Sequence, residues 1–145
     1  MKQIDRALAN AMETLTMVSK KGNPKQIQYW QLAVGSISKC EPSIREERDR
    51  VMKEACRLMK VSPSVLFERY RGREALYARQ LVYSYFAEKY KIYTGWTWMC
   101  LFGHHHTTVM NSMRQHDDLL EKEEDYQELV EEFLKSELWQ TSPSI

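Results

Sequence analysis

Hydrophobic positions recur with the 3.6-residue period of an α-helix along most of the chain, and no alternation of Val, Ile and Thr marks a strand. The first pattern predicts a helix from about Gln3 to Ser19, ended by the turn-forming run 20–24. Pro24 suits the first turn of a second helix that reaches about Ile37. The chain is therefore predicted to begin with a helical pair.

The remaining pattern is also helical. Ser43 and Glu46 have the spacing of a capping box, which predicts the start of a third helix there. Beyond that helix the pattern predicts a short turn at 62–67 and helices at about 73–90, 95–101, 105–120 and 124–139. The fold class predicted from these elements is all-α, a helical bundle with an extra N-terminal helical pair.

Length and composition are typical of one globular domain: 145 residues, 43% hydrophobic and 28% charged. No apolar run approaches the ~18–20 residues needed to cross a bilayer. The charged start of the chain differs from a signal peptide, so we expect a cytoplasmic protein. Cys40, Cys56 and Cys100 form no CxxC pair, which favours thiols in a reducing compartment over a zinc ribbon or a disulfide framework.

Charge is distributed unevenly, although the whole chain carries only +1. The net charge is +3 over residues 1–43, +6 over 44–116 and −8 over 117–145. A basic central segment beside an acidic tail indicates that the central part could meet a polyanion.

Residues 94–109 have the layout of a helix-turn-helix: a short helix, a tight turn at Gly103 and a new helix near His105. If Val109 and Met113 face the core, an opposite face remains for solvent. Side chains on that face can reach base edges and phosphates, and N–H groups at the helix start favour a phosphate. The outward set is His106, Thr107, Met110, Asn111 and Arg114.

A family resemblance extends this interpretation. Residues 48–120, about half of the chain, resemble the C-terminal DNA-binding domain of the bacterial replication initiator DnaA. That family's signature has a Gly turn followed by Asp-His-Thr/Ser-Thr-Val, and here Gly103 and His104 precede His-His-Thr-Thr-Val at 105–109. Upstream the family has a basic stretch and an Arg-Gln pair, matched here by 69–73 and 79–80.

The resemblance implies a role for each matching position. Arg71 would enter a minor groove, and Arg79 and Gln80 would hold a phosphate. His106 and Thr107 would face bases, whereas Thr108, Asn111 and Arg114 would contact phosphates. The complete set expected to contact DNA is Arg71, Arg73, Arg79, Gln80, His105, His106, Thr107, Thr108, Met110, Asn111 and Arg114.

The sequence departs from the family in four respects. His105 replaces the family's Asp, which can accept a hydrogen bond from a cytosine amino group, and His104 replaces a usual basic residue. Trp98 and Met99 stand where the family has Ile-Gly. No GxxxxGK[ST] motif occurs, so the ATPase part of the initiator and its nucleotide site are missing from this sequence.

We therefore expect an N-terminal helical extension at 1–42, a DNA-binding domain at 43–122 and an acidic helix and tail at 123–145. The predicted function is sequence-dependent binding of double-stranded DNA in replication control or transcription regulation, without catalysis, cofactor, metal or membrane. Residues 1–42 could bind a second copy of the chain or a replication or transcription protein.

Alternatives stay open at this point. The chain could be a protein-interaction adaptor or part of a mobile-element machinery that has lost DNA-site specificity. The run His104–His106 could hold a metal or belong to a nuclease, although a nuclease of that kind needs a β-sheet platform. Trp96 and Trp98 could stack on single-stranded bases, but residues two apart do not share a helix face. The acidic tail could fold onto the basic surface as a brake.

Overall fold

A computed structural model describes residues 5–68, 72–90 and 100–135. These ranges contain helices and no strand, so the prediction of an all-α bundle is confirmed. The helices are α1 Arg6–Lys21, α2 Pro24–Ser38, α3 Pro42–Met59, α4 Ser64–Phe67, α5 Arg73–Tyr90, α6 His106–Lys122 and α7 Glu124–Leu134. Within the same ranges, every helix is too short or too polar to cross a membrane.

The N-terminal pair has the boundaries that local chemistry predicts. The Asp5 carboxylate accepts a hydrogen bond from the amide of Ala7 at 3.0 Å and so caps α1. Gly22, at a φ of +75°, ends α1 in the left-handed conformation. The Asn23 side chain then caps the first turn of α2, with Pro24 directly behind it.

The predicted capping box at Ser43 is wrong. Helix α3 begins one residue earlier, at Pro42, and Glu41 occupies the capping position without a side-chain hydrogen bond. Proline suits the first helical position because its fixed φ is helical and it has no N–H to satisfy. Ser43 therefore already lies inside the helix, where its hydroxyl cannot serve as the cap.

One hydrophobic core joins all three segments expected from the sequence. Helix α1 packs on α2, α3 packs on α5, and α5 packs on α6. The N-terminal pair contributes Ala7, Ala11, Trp30, Ala33 and Ile37 to this core, and α7 contributes Phe133. The N-terminal helices are thus part of the same packed unit as the central helices.

Residues 100–102 are helical and lead through Gly103 into α6. The rest of the predicted first helix of the motif, 95–99, lies outside the described residues. Gly103 has a φ of +76°, and a Cβ built there would lie 2.2 Å from the carbonyl oxygen of Ala7. The Asn10 side chain donates to the carbonyls of Phe67 at 2.6 Å and Phe102 at 2.9 Å. Helix α1 therefore fixes the turn from which α6 starts.

Arg48 of α3 connects the same turn to the start of α1. Its guanidinium makes hydrogen bonds of 2.7 and 3.0 Å to the two carboxylate oxygens of Asp5. It also donates to the carbonyl of Leu101 at 3.1 Å and lies 5.3 Å from the ring centroid of Phe67. Burial alone would lower the pKa of Arg48, but the hydrogen bonds and charge of Asp5 outweigh burial and raise it. Both partners therefore stay charged.

The Gly103→Ala substitution tests how tightly the turn packs. A left-handed alanine costs about 1–2 kcal/mol, and forcing a methyl group into packed backbone adds about 1–3 kcal/mol. We expect denaturant unfolding to show both losses for Gly103→Ala. The matched control is Gly22→Ala, which has the same left-handed backbone but nothing within 4 Å of the new methyl group. Equal losses for the two variants would contradict the described packing of the turn.

His116 lies on the inner face of α6. It is 5% exposed, and its Nδ1 lies 2.6 Å from the hydroxyl of Tyr126 on α7. Burial lowers the pKa of His116, and the nearby charge of Asp117 only partly opposes this. The folded protein therefore favours the neutral imidazole.

A consequence for acid stability follows from this shift. The contribution of His116 to stability is complete above the unfolded value of about 6.5 and is lost as the pH falls below it, because the unfolded chain takes up the proton first. The free energy of unfolding should decrease by up to about 1.4 kcal/mol per pH unit for this one group. We expect His116→Gln to flatten the slope between pH 7 and pH 5.5 in denaturant titrations. An unchanged slope would mean that His116 is not buried as a neutral group.

Candidate nucleic-acid interface

The outward face of α6 carries five of the eleven side chains expected to contact DNA. Val109 and Ser112 are buried and Met113 packs against the core, so the helix has the predicted orientation. The opposite side is solvent-exposed over its first two and a half turns. The exposed side chains there are Thr107, Thr108, Met110, Asn111 and Arg114.

His105 caps α6 where the resembled family has Asp. Its Nδ1 accepts a hydrogen bond from the amide of Thr107 at 3.1 Å, and its carbonyl accepts from the amide of Thr108 at 2.9 Å. Its ring stacks on Tyr29 of α2, with 4.3 Å between the ring centroids. Burial, followed by the charge of His106, lowers the pKa of His105, so the imidazole favours the neutral form that can accept the cap bond.

Tyr29 of α2 also binds the first residue of α6. Its hydroxyl accepts a hydrogen bond from the amide of His106 at 3.2 Å and lies 2.7 Å from Nδ1 of the same residue. His106 is consequently half-buried rather than fully outward-facing. Burial raises the pKa of Tyr29, with the amide of His106 opposing the rise.

These contacts correct the prediction that N–H groups at the start of α6 are available to a phosphate. The amides of residues 106, 107 and 108 already donate to Tyr29, to the His105 ring and to the His105 carbonyl. The tyrosine lies 77 residues before His106 in the chain. No local sequence signal identifies such a contact, so the sequence alone does not predict a role for Tyr29.

The phosphate contacts predicted for Arg79 and Gln80 do not fit the structure. Both residues lie in the middle of α5, where they are 5% and 1% exposed. The Gln80 amide donates to Gln115 of α6 at 3.1 Å. The Arg-Gln pair resembles the family in sequence, but its side chains point into this fold, and we remove both from the interface.

Arg79 instead holds the end of α4. Its guanidinium donates to the carbonyls of Leu66 at 3.0 Å, Val65 at 2.9 Å and Glu68 at 2.6 Å. Nε2 of His104 also lies 3.0 Å from the Leu66 carbonyl. A helix end leaves carbonyls without helical partners, and here buried side chains supply those partners. Burial is the main cause that lowers the pKa of Arg79.

Arg73 does not add to the α6 surface. Arg73 is exposed, but its guanidinium lies 5.2 Å from the ring centroid of Tyr77, which contacts Tyr126 of α7. Tyr83, further along α5, contacts Phe102. Helix α5 therefore runs antiparallel to α6, and Arg73 lies at the far end from Thr107. Arg71 lies outside the described residues.

The charge changes sign within α6, and the acidic part continues into α7. Between residues 106 and 116 its one Lys or Arg is Arg114, and there is no acidic residue. From residue 117 to residue 132 the chain carries nine Asp or Glu and a single Lys. A phosphate backbone is attracted to cations and repelled by carboxylates, so a duplex could approach the first half of α6 and not the second.

The three adjacent histidines all make contacts within the protein. His104 contacts α4, His105 caps α6 and stacks on Tyr29, and His106 bonds to the Tyr29 hydroxyl. In the described part of the chain, no group of three His, Cys, Asp or Glu side chains is arranged to hold a metal ion. Packing and capping therefore account for this run of histidines.

Comparison with known proteins adds no relative. The chain matches no protein-family model, no curated protein and no solved structure.

Replacing Arg79 distinguishes a structural role from a DNA contact. Arg79→Met keeps most of the side-chain volume but removes the arginine's hydrogen bonds to the carbonyls of Val65, Leu66 and Glu68, so we expect a loss of at least about 2 kcal/mol in the free energy of unfolding. The control is Arg73→Met, whose exposed guanidinium makes no such bonds and whose loss should leave the unfolding midpoint nearly unchanged. Equal stability of both variants would show that Arg79 does not hold α4.

Proposed function

We propose that this protein binds double-stranded DNA through the outward face of α6, as a cytoplasmic regulator of replication or transcription without catalytic activity. One observation carries the proposal: the exposed first half of α6 combines hydrogen-bonding side chains with an absence of carboxylates. An α-helix of this width fits the major groove, where such side chains can reach base edges.

The surrounding structure supports this use of α6. The turn at Gly103 packs against α1, and the capped first residue of α6 packs against α2. A helix held at its start by two other helices presents its side chains in one orientation, which lowers the entropy lost on binding. The resemblance of residues 105–109 to the DnaA signature points to the same surface.

Four of the exposed side chains have a chemical role in the proposal. Thr107 and Asn111 face base edges or nearby phosphates as neutral donors and acceptors, and Met110, 38% exposed, offers an apolar contact such as a thymine methyl group. Arg114 supplies the positive charge that pairs with a phosphate. Because the N–H groups at the helix start are already bonded, side chains must provide this attraction.

Arg114→Gln tests the proposal. Duplexes selected from a random pool should bind the wild-type protein with an affinity that decreases steeply as salt rises, because phosphate contacts release counterions. The variant should bind about tenfold more weakly at low salt, with the slope of log affinity against log salt reduced by about one. Fluorescence anisotropy of a labelled duplex measures both quantities.

The matched control is Arg57→Gln, which replaces an exposed arginine of α3 that is paired with Glu54 and is not part of α6. It makes the same change in net charge and should leave both quantities near the wild-type values. If the two variants lose affinity equally, net charge and not the α6 surface governs binding. If the wild-type protein binds no duplex at low salt, the proposal fails.

A further inference from the structure

A groove of about 500 Å³ lies between the first residues of α1, the first half of α3 and α4. The described residues that line it belong to these elements and not to α6, so the groove is separate from the proposed DNA-binding face. Pockets that hold small molecules usually have volumes of about 300–1,000 Å³. The groove is therefore large enough for one small organic ligand.

One arginine of the groove is neutralised within the protein. The Arg48 guanidinium makes hydrogen bonds of 2.7 and 3.0 Å to the two carboxylate oxygens of Asp5, and its Nε donates to Asp49 at 3.0 Å. It also donates to the carbonyl of Leu101 at 3.1 Å. Arg48 therefore has its counter-ions inside the fold and leaves little charge for a ligand.

Two further arginines of the groove have no counter-ion. Within the described ranges, neither Arg6 nor Arg45 forms an ion pair with a carboxylate. Arg6 is exposed, and its guanidinium lies 4.9 Å from the ring centroid of Phe67. Arg45 is half-buried and donates to the carbonyl of Ile37 at 2.9 Å, while its Nε is buried with no hydrogen-bond partner. Because a partly buried cation without an opposite charge is costly, an anion in the groove would be stabilised there.

The other side chains of the groove offer mainly apolar surface, from Met52 of α3 and from Pro63 and Phe67 at α4. In ligand sites, apolar and aromatic side chains contact the body of the ligand, whereas a few charged groups fix its orientation. The planar fork of a guanidinium matches the oxygens of a carboxylate or a phosphate. This combination fits an organic anion with one such group on an apolar body.

We propose that the groove binds a small organic anion, with its carboxylate or phosphate group paired with Arg6 and Arg45. Its apolar body lies against Met52, Pro63 and Phe67. The proposal is independent of DNA binding, because the two sites share no described residue.

A bound ligand also stabilises the fold. Asp5 and Arg48 line the groove, and the same two residues connect the start of α1 to the residues before Gly103. A ligand that binds the folded protein and not the unfolded chain raises the melting temperature in proportion to its occupancy. Thermal unfolding therefore gives a second measure of binding.

The test titrates the whole chain with 1-naphthyl phosphate and 1-naphthoate, which carry the two anionic groups on the same aromatic body. Isothermal titration calorimetry should show one site with a dissociation constant of about 1 mM or lower for at least one probe, and that probe should raise the melting temperature. The tighter probe identifies the preferred anionic group. Uncharged 1-naphthalenemethanol and inorganic phosphate should each bind at least about tenfold more weakly, because one lacks the charge and the other lacks the apolar body.

Variants locate the site. Arg6→Gln should weaken binding of the tighter probe at least about tenfold, and its exposed side chain can be replaced without loss of a buried hydrogen bond. Arg45→Gln should have the same effect, with circular dichroism to confirm that the variant is folded. The matched control is Arg57→Gln, which removes the same charge from a residue of α3 that does not line the groove and should bind as the wild type does.

Four results would overturn the proposal. The first is that neither probe binds the wild-type protein, and the second is that the uncharged alcohol or inorganic phosphate binds as tightly as the probes. The third is an equal loss of binding in Arg6→Gln and Arg57→Gln. The fourth is displacement of the probe by a DNA duplex, because the arginines would then belong to a DNA-binding surface and not to a site for a small anion.

Discussion

The ion pair between Arg48 and Asp5 is the contact on which the rest of this fold depends. Arg48 is 3% exposed, and removing one partner of a buried pair costs about 3–5 kcal/mol because the other charge remains unsatisfied. Asp5 also caps α1, and the same guanidinium binds the carbonyls of residues 100 and 101. A single buried charge therefore sets the position of α1, α3 and the approach to Gly103 relative to each other.

Several polar side chains inside this small domain bind the ends of helices. Asn10 and Arg79 satisfy carbonyls at the end of α4, and Asn10 also binds the carbonyl of Phe102. Hydrophobic packing has no direction, whereas hydrogen bonds to backbone carbonyls fix both distance and angle. The apolar core thus gives the bundle its stability, and these buried donors determine how its short elements are arranged.

Helical periodicity was sufficient to predict most elements but not their surroundings. Helix α5 begins at Arg73 and ends at Tyr90 as predicted, and α2 ends one residue beyond the expected Ile37, because apolar spacing and proline act within one element. The burial of Arg79 and the contact of Tyr29 with His106 depend on how distant segments pack against each other. The spacing of residues along one helix carries no information about that packing. The family-like Arg-Gln string therefore indicated a surface role for a side chain that is buried.

The first N–H groups of α6 are already hydrogen-bonded within the protein, and this affects how the helix could recognise DNA. A helix whose first N–H groups are open can bind a phosphate through its backbone whatever the base sequence. Here Tyr29 and His105 occupy those groups, so backbone attraction at this point is small. The proposed DNA binding by this surface would then depend on the side chains of residues 107 to 114, of which Arg114 alone carries a full charge. Such a surface gains less from non-specific phosphate attraction and proportionally more from contacts that depend on sequence.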